Sequence, residues 1–326
     1  MRRREFVKLL SGAAVAWPFA ARAQQPAMPV IGFLHAGSAL ALVDAVEAFR
    51  DGLNESSYIE GRNVTIEYRW AENRYDHLSG LLAGLVSQRV AVIFAGALPA
   101  ALVAKAASTT TPVVFLIGGD PIDAGLVNSL NRPSGNMTGV TVFSGTLLAK
   151  RLELLQRVTS AATTIAVLVN PKNPNAESRS SNIDAAARRI GLQPQFLNAS
   201  NETDLNDAFA TMVQRRVSAM LVVDDPFFTS HRDQLVTLAA RNAIPSIYFQ
   251  REFVVAGGLM SYATKYSDMY KQAGIYTGQI LKGKKPIDLP VVQPTKFEFV
   301  LNLKTATALG LTIPPSVLAT ADEVIE

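Results

Sequence analysis

Six short clusters in this 326-residue chain combine small, acidic, amide and aromatic side chains. His35-Ala36-Gly37-Ser38, Ala95-Gly96-Ala97-Leu98-Pro99 and Gly118-Gly119-Asp120-Pro121 lie in the first half. Asn170-Pro171 with Asn173 and Asn175, Asp224-Asp225-Pro226-Phe227-Phe228, and Tyr248 to Glu252 lie in the second. Small residues leading into a helix expose backbone N–H groups, which favour a carboxylate. Aromatic and acidic side chains facing them could hold a ring and an amine. The candidate ligand contacts are Gly37, Ser38, Gly96, Ala97, Gly119, Asp120, Ser144, Asn170, Asn175, Asp225, Phe227, Tyr248 and Glu252. Asp225 is expected to face a cleft and accept hydrogen bonds from the ligand; the competing reading makes it a helix cap. Of Phe227 and Phe228, at least one is expected in the core.

Signatures of catalysis are missing. The chain has no G-x-G-x-x-G after a strand, no G-x-x-x-x-G-K-[ST], no H-E-x-x-H and no G-x-S-x-G. Asp120, Asp224, Asp225 and Glu252 could pair across a cleft as in a glycosidase, but carboxylates at strand ends serve equally as amine or hydroxyl acceptors. His35, His77 and His231 have no metal-binding spacing, and no cysteine is present. Thiolate metal sites, disulfides, a lipoprotein anchor and a cysteine nucleophile are thereby excluded. A non-enzymatic protein without metal or cofactor is expected.

The clusters are punctuation between elements. Val30 to Leu34, Val64 to Tyr68, Val90 to Phe94 and Val113 to Ile117 are apolar runs of strand length. Leu78, Leu81, Leu82, Leu85 and Val86 repeat at helical spacing between two of them. The pattern restarts with strands at Ile165 to Val169, Pro194 to Leu197, Ala219 to Val223 and Ser246 to Phe249. Near-continuous apolar strands alternating with helices predict parallel sheets covered on both faces. The fold class is therefore α/β, with two Rossmann-like doubly wound lobes joined by hinge strands. The N-terminal lobe is expected over 28–143 plus 264–290, and the C-terminal lobe over 144–263 plus 291–326. Thr138 to Phe143 and Pro290 to Leu303 read as extended crossings. In such sheets the crevice lies at the strand carboxyl ends, where the six clusters fall.

The N-terminus sets the compartment. Arg2, Arg3 and Arg4, an apolar stretch from Leu9 to Phe19, and Ala21-Arg22-Ala23 form a secretory signal over residues 1–23. Its apolar part is too short for the ~20 residues of a membrane-spanning helix. Arg3-Arg4-Glu5-Phe6-Val7-Lys8 resembles a twin-arginine motif; an ordinary secretory signal is the alternative. The chain carries 31 basic and 27 acidic groups, and residues 1–23 hold five of the former and one of the latter. The mature part is thus balanced, without the basic surface that a nucleic-acid partner requires.

Further markers carry a resemblance. Gly118-Gly119-Asp120-Pro121 with Ala124-Gly125-Leu126-Val127, Asn136-Met137-Thr138-Gly139-Val140 and Asn170-Pro171-Lys172-Asn173-Pro174-Asn175 are three of them. Ile280-Leu281-Lys282-Gly283, Asn302-Leu303-Lys304 and Leu309-Gly310-Leu311 complete the set. The chain resembles the ABC-transporter substrate-binding family that includes tryptophan/tyrosine-binding receptors. That likeness implies a type I periplasmic-binding fold acting as a monomer in the periplasm. It further implies an amino acid or other small organic acid as ligand and an ABC permease as partner. A periplasmic sensor and a secreted hydrolase are the alternatives. Where relatives commonly carry Thr-Asp-Asn, this chain has Asp224-Asp225-Pro226, so Pro226 removes an amide side chain and a backbone donor. This departure weakens the match to an aromatic amino acid and leaves branched amino acids, aromatic acids and other small carboxylates open as ligands.

Overall fold

The computed structural model describes residues 28–326 except 108–109, 134, 143 and 160–162; for 144–146 only the backbone is considered. The expected export signal, residues 1–23, lies outside the described residues. The first lobe runs β1 (Val30–His35), α1 (Val43–Glu55), β2 (Thr65–Trp70), α2 (Leu78–Ser87) and β3 (Val92–Gly96). It continues through α3 (Leu98–Ala106), β4 (Val113–Ile117) and β5 (Met137–Thr141). These strands form one parallel sheet in the order β2-β1-β3-β4-β5.

The second lobe opens with α4 (Ser144–Val158), β6 (Thr164–Val169), α5 (Ala176–Arg189), β7 (Gln193–Asn198) and α6 (Glu202–Gln214). Next come β8 (Ala219–Val222), α7 (Pro226–Ser230), α8 (Arg232–Arg241), β9 (Ser246–Tyr248), α9 (Arg251–Val255) and β10 (Met260–Ala263). The chain then returns to the first lobe as α10 (Tyr266–Leu281), before β11 (Glu298–Asn302), α11 (Leu303–Ala308), α12 (Pro315–Leu318) and β12 (Glu323–Ile325) complete the second. The second sheet has the order β12-β11-β10-β9-β8-β6-β7, and only β11 against β10 is antiparallel among its pairs.

Strand alternation divides each sheet between two apolar layers. Ile31, Phe33, Val92, Phe94, Val114 and Leu116 bury one face of the first sheet; Leu34, Ile93, Ala95, Val113, Phe115 and Ile117 bury the other. Helices on both sides exclude water from both layers, which is why the strands read as unbroken apolar runs. Helix α10 seals the first layer with Tyr270, Ala273, Tyr276 and Ile280. It lies so close to α1 that a Cβ on Gly52 would strike the Lys271 carbonyl, and one on Gly274 the Phe49 carbonyl. After α10 the chain stays on the first lobe through Val292, whose N–H donates to Gly139 and whose carbonyl accepts from Thr141. The departure toward β11 thus follows Val292, two residues beyond the 290/291 boundary drawn from sequence.

Candidate functional site

An interlobe cavity enclosing about 560 Å³, mouth included, lies where the strand carboxyl ends of the two sheets meet. His35 at the end of β1, Gly37 just after it, Ala97 and Leu98 after β3, and Gly118 after β4 line it from the first lobe. Asp224, Asp225 and Pro226 after β8, with Phe249 and Gln250 after β9, line it from the second. Tyr266 and Tyr270, one turn apart on α10, add two phenol rings. Rings and a few polar groups converging on one concave space are the usual lining of a small-molecule site.

The lobes are closed on one another. Tyr75 Oη donates to both carboxylate oxygens of Asp225, 2.9 Å away. Asn175 Nδ2 donates to the Gly118 carbonyl at 3.4 Å, and the Ser38 and Ser230 hydroxyls meet at 3.1 Å. Asp224 approaches the first lobe so closely that a Cβ on Gly118 would collide with its Oδ2. A glycine at 118 is therefore a condition of closure, beyond any turn geometry.

Asp225 departs from expectation. Its carboxylate accepts from Asn170 Nδ2 at 2.8 Å, Asn173 Nδ2 at 2.7 Å, the Phe227 N–H at 2.9 Å and Tyr75. Every acceptor direction of the group is thus taken by protein donors. Burial pushes its pKa up, while these hydrogen bonds oppose the rise. Asp225 caps α7 and joins the lobes, and it has no acceptor direction left for a ligand. Asp224 is 7% exposed and makes no side-chain hydrogen bond among the described residues. Its Oδ1 forms an ion pair with Arg179 Nη1 at 2.6 Å, out of line for a hydrogen bond, while the same Nη1 donates to the Asp224 carbonyl at 2.9 Å. Oδ2 lies directly against Gly118.

The other expected contacts divide sharply. Gly37 and Ala97 line the cavity. Ala97 has φ 73° and ψ 155°, a conformation that normally requires glycine, where the chain turns into α3. Gly96 lies beneath the His35 ring, which a Cβ there would strike. Ser38 serves closure. Gly119, Asp120 and Asn175 line a separate interlobe groove with Arg179, and the Asp120 carboxylate accepts from the N–H groups of Ile122 and Asp123, organising its own turn. Asn170 serves the Asp225 hub, and Ser144 opens α4. Phe227 and Tyr248 belong instead to the core of the second lobe, Tyr248 stacked on Phe253. Phe227 turns inward on α7, whereas for Tyr248, at the end of β9, a one-residue step along the strand reverses the face. Phe249, one residue on from Tyr248, is the ring that reaches the cavity. Glu252 is absent from its lining; burial raises its pKa. The four carboxylates considered as a hydrolytic pair therefore do not converge on one point.

Sequence reasoning missed Tyr75, Arg179, Tyr266 and Tyr270. Arg179 had a legible signal, since it shares a buried helical stripe with Ile183 and Ala187. Tyr75 follows the carboxyl end of β2, the strand end whose loop was passed over.

The model of the family described as "ABC transporter substrate binding protein" matches residues 30–325. This chain belongs to that family. As a family member it shares 26% identity over 267 residues with a "Tyrosine-binding protein" of Clostridioides difficile, covering 82% of this chain and 76% of that protein. A Streptococcus pneumonia ABC domain solved in complex with L-Trp superposes with a TM-score of 0.83 at 29% identity, covering 91% of this chain and 99% of that one. A conserved domain protein of Vibrio cholerae superposes with a TM-score of 0.85 at 25% identity, over the same shares of each chain. No helix among the described residues is long and apolar enough to cross a membrane.

Proposed function

We propose that this family member is the exported receptor of an ABC importer and that its ligand is an amino acid with an aromatic side chain. The observation that carries the reading is the cavity's polarity. At one wall Asp224 presents Oδ2, to which no described residue donates, while its Oδ1 is paired with Arg179. At another, α3 begins without a side-chain cap and without an acidic residue in its first turn. An ammonium group fits the first and a carboxylate the second, where the helix dipole lies and the N–H groups of Leu98 and Ala100 have no backbone acceptor among the described residues. Tyr266, Tyr270 and Phe249 supply the surfaces between which a ring packs. The tyrosine- and tryptophan-named relatives support this ligand class, and the Asp224-Asp225-Pro226 sequence is compatible with it because Asp224 provides the amine acceptor.

Calorimetric titration with L-tryptophan, its decarboxylated analogue tryptamine and its deaminated analogue indole-3-propionate tests the reading. Loss of either charged group should weaken binding about ten- to a hundredfold, the worth of a charge-assisted hydrogen bond. Equal binding of indole-3-propionate would remove Asp224 from its part. No binding of any aromatic amino acid would discard the ligand class.

A further inference from the structure

The first-lobe wall contains a relay whose polarity is fixed. The Gly37 N–H donates to His35 Nδ1 at 2.8 Å, so that nitrogen carries the lone pair. The neutral ring then has its proton on Nε2, which lies 2.9 Å from Tyr270 Oη. Nε2 donates and the phenol oxygen accepts. The ring cannot slide out of this register, because it fills the space above Gly96 that a Cβ would occupy. It is packed against Phe33, Trp70 and Tyr270 besides. Burial holds the His35 pKa down at about 3, so the ring stays neutral across ordinary pH. Having accepted from His35, the Tyr270 hydroxyl keeps one proton to give. That proton lies near the phenol plane, and no described residue accepts it. Tyr270 lines the cavity at 2% exposure, beside the turn from β3 into α3.

We propose that His35 positions and polarises Tyr270 so that its hydroxyl presents only a donor to the ligand, reading an acceptor oxygen of the carboxylate seated at α3. The assignment rests on the amino-acid reading above and adds a residue that selects for the carboxylate. A ligand offering an N–H or a methyl group there leaves the buried hydroxyl proton without an acceptor on the ligand, which costs affinity.

The test compares wild type and Tyr270→Phe by titration with L-tryptophan and tryptamine, alongside NMR of the histidine ring nitrogens. Tyr270→Phe should weaken L-tryptophan about ten- to a hundredfold and tryptamine by no more than about twofold. A purely structural tyrosine would shift both ligands alike, and that result overturns the proposal. The ring spectrum of wild type should show a protonated Nε2 and an unprotonated Nδ1 for His35. The opposite tautomer overturns the polarity while leaving the ligand class standing. Wild type that binds neither indole compound overturns the ligand class, and the proposal with it.

Discussion

His35 ties the stability of the first lobe to pH. Its folded pKa is held at about 3 against the usual 6.5. Between those values the unfolded chain binds a proton that the folded chain refuses, so stability falls as pH falls through that window. The loss is about 1.4 kcal/mol per pH unit below 6.5, levelling off near 3. Melts from pH 7 to 4 should show this slope, and His35→Gln should flatten it; an unchanged slope in the variant would assign the acid sensitivity elsewhere. Residue-scale legibility was uneven for a physical reason. Sequence marks which residues follow strand ends, and Gly37, Ala97 and Asp225, picked out by that rule, all border the cavity. It does not mark which oxygen remains unpaired after folding. Asp224 and Asp225 are chemically identical neighbours, and only the positions of Asn170, Asn173 and Tyr75 separate a carboxylate without side-chain donors from a structural hub.

At the scale of elements, the turn holding Tyr75 and the start of α7 form a latch between lobes. Tyr75 bonds to Asp225, and burial and the nearby carboxylate push the pKa of its phenol far up, keeping the donor protonated. Tyr75→Phe removes the donor yet leaves Asn170, Asn173 and the Phe227 N–H on the carboxylate. Ligand affinity should then drop about five- to thirtyfold through a less populated closed form. The melt of the unliganded chain should hardly move. A fall in the melt with unchanged affinity would make the contact a local support of α7. The strands were legible because both faces of each sheet are buried, which writes them as apolar runs. Helix α10 was not, because Tyr266, Tyr270, Ala273 and Thr277 present a mixed stripe of rings and small residues in place of an aliphatic one.

For the molecule as a whole, contacts such as Tyr75 to Asp225 and Asn175 to Gly118 exist only with the lobes together. Small-angle scattering should accordingly show a smaller radius of gyration on adding saturating L-tryptophan. An unchanged radius, with binding verified by titration, would mean that the unliganded chain is already closed. The two-lobe plan was legible because the βα pattern visibly restarts near Ile165; the excursion of α10 back to the first lobe was drawn only as a boundary. That excursion bears on synthesis. The first sheet is complete at Thr141, but the helix that covers one of its faces begins about 125 residues later, at Tyr266. At five to twenty residues per second, a ribosome takes roughly 6–25 s to supply it. Through that interval Phe33, Phe49 and Phe94 lack their cover of Tyr270 and Ile280. The nascent chain carries an adhesive apolar face for seconds, and a chaperone that shields such faces has that long to find it.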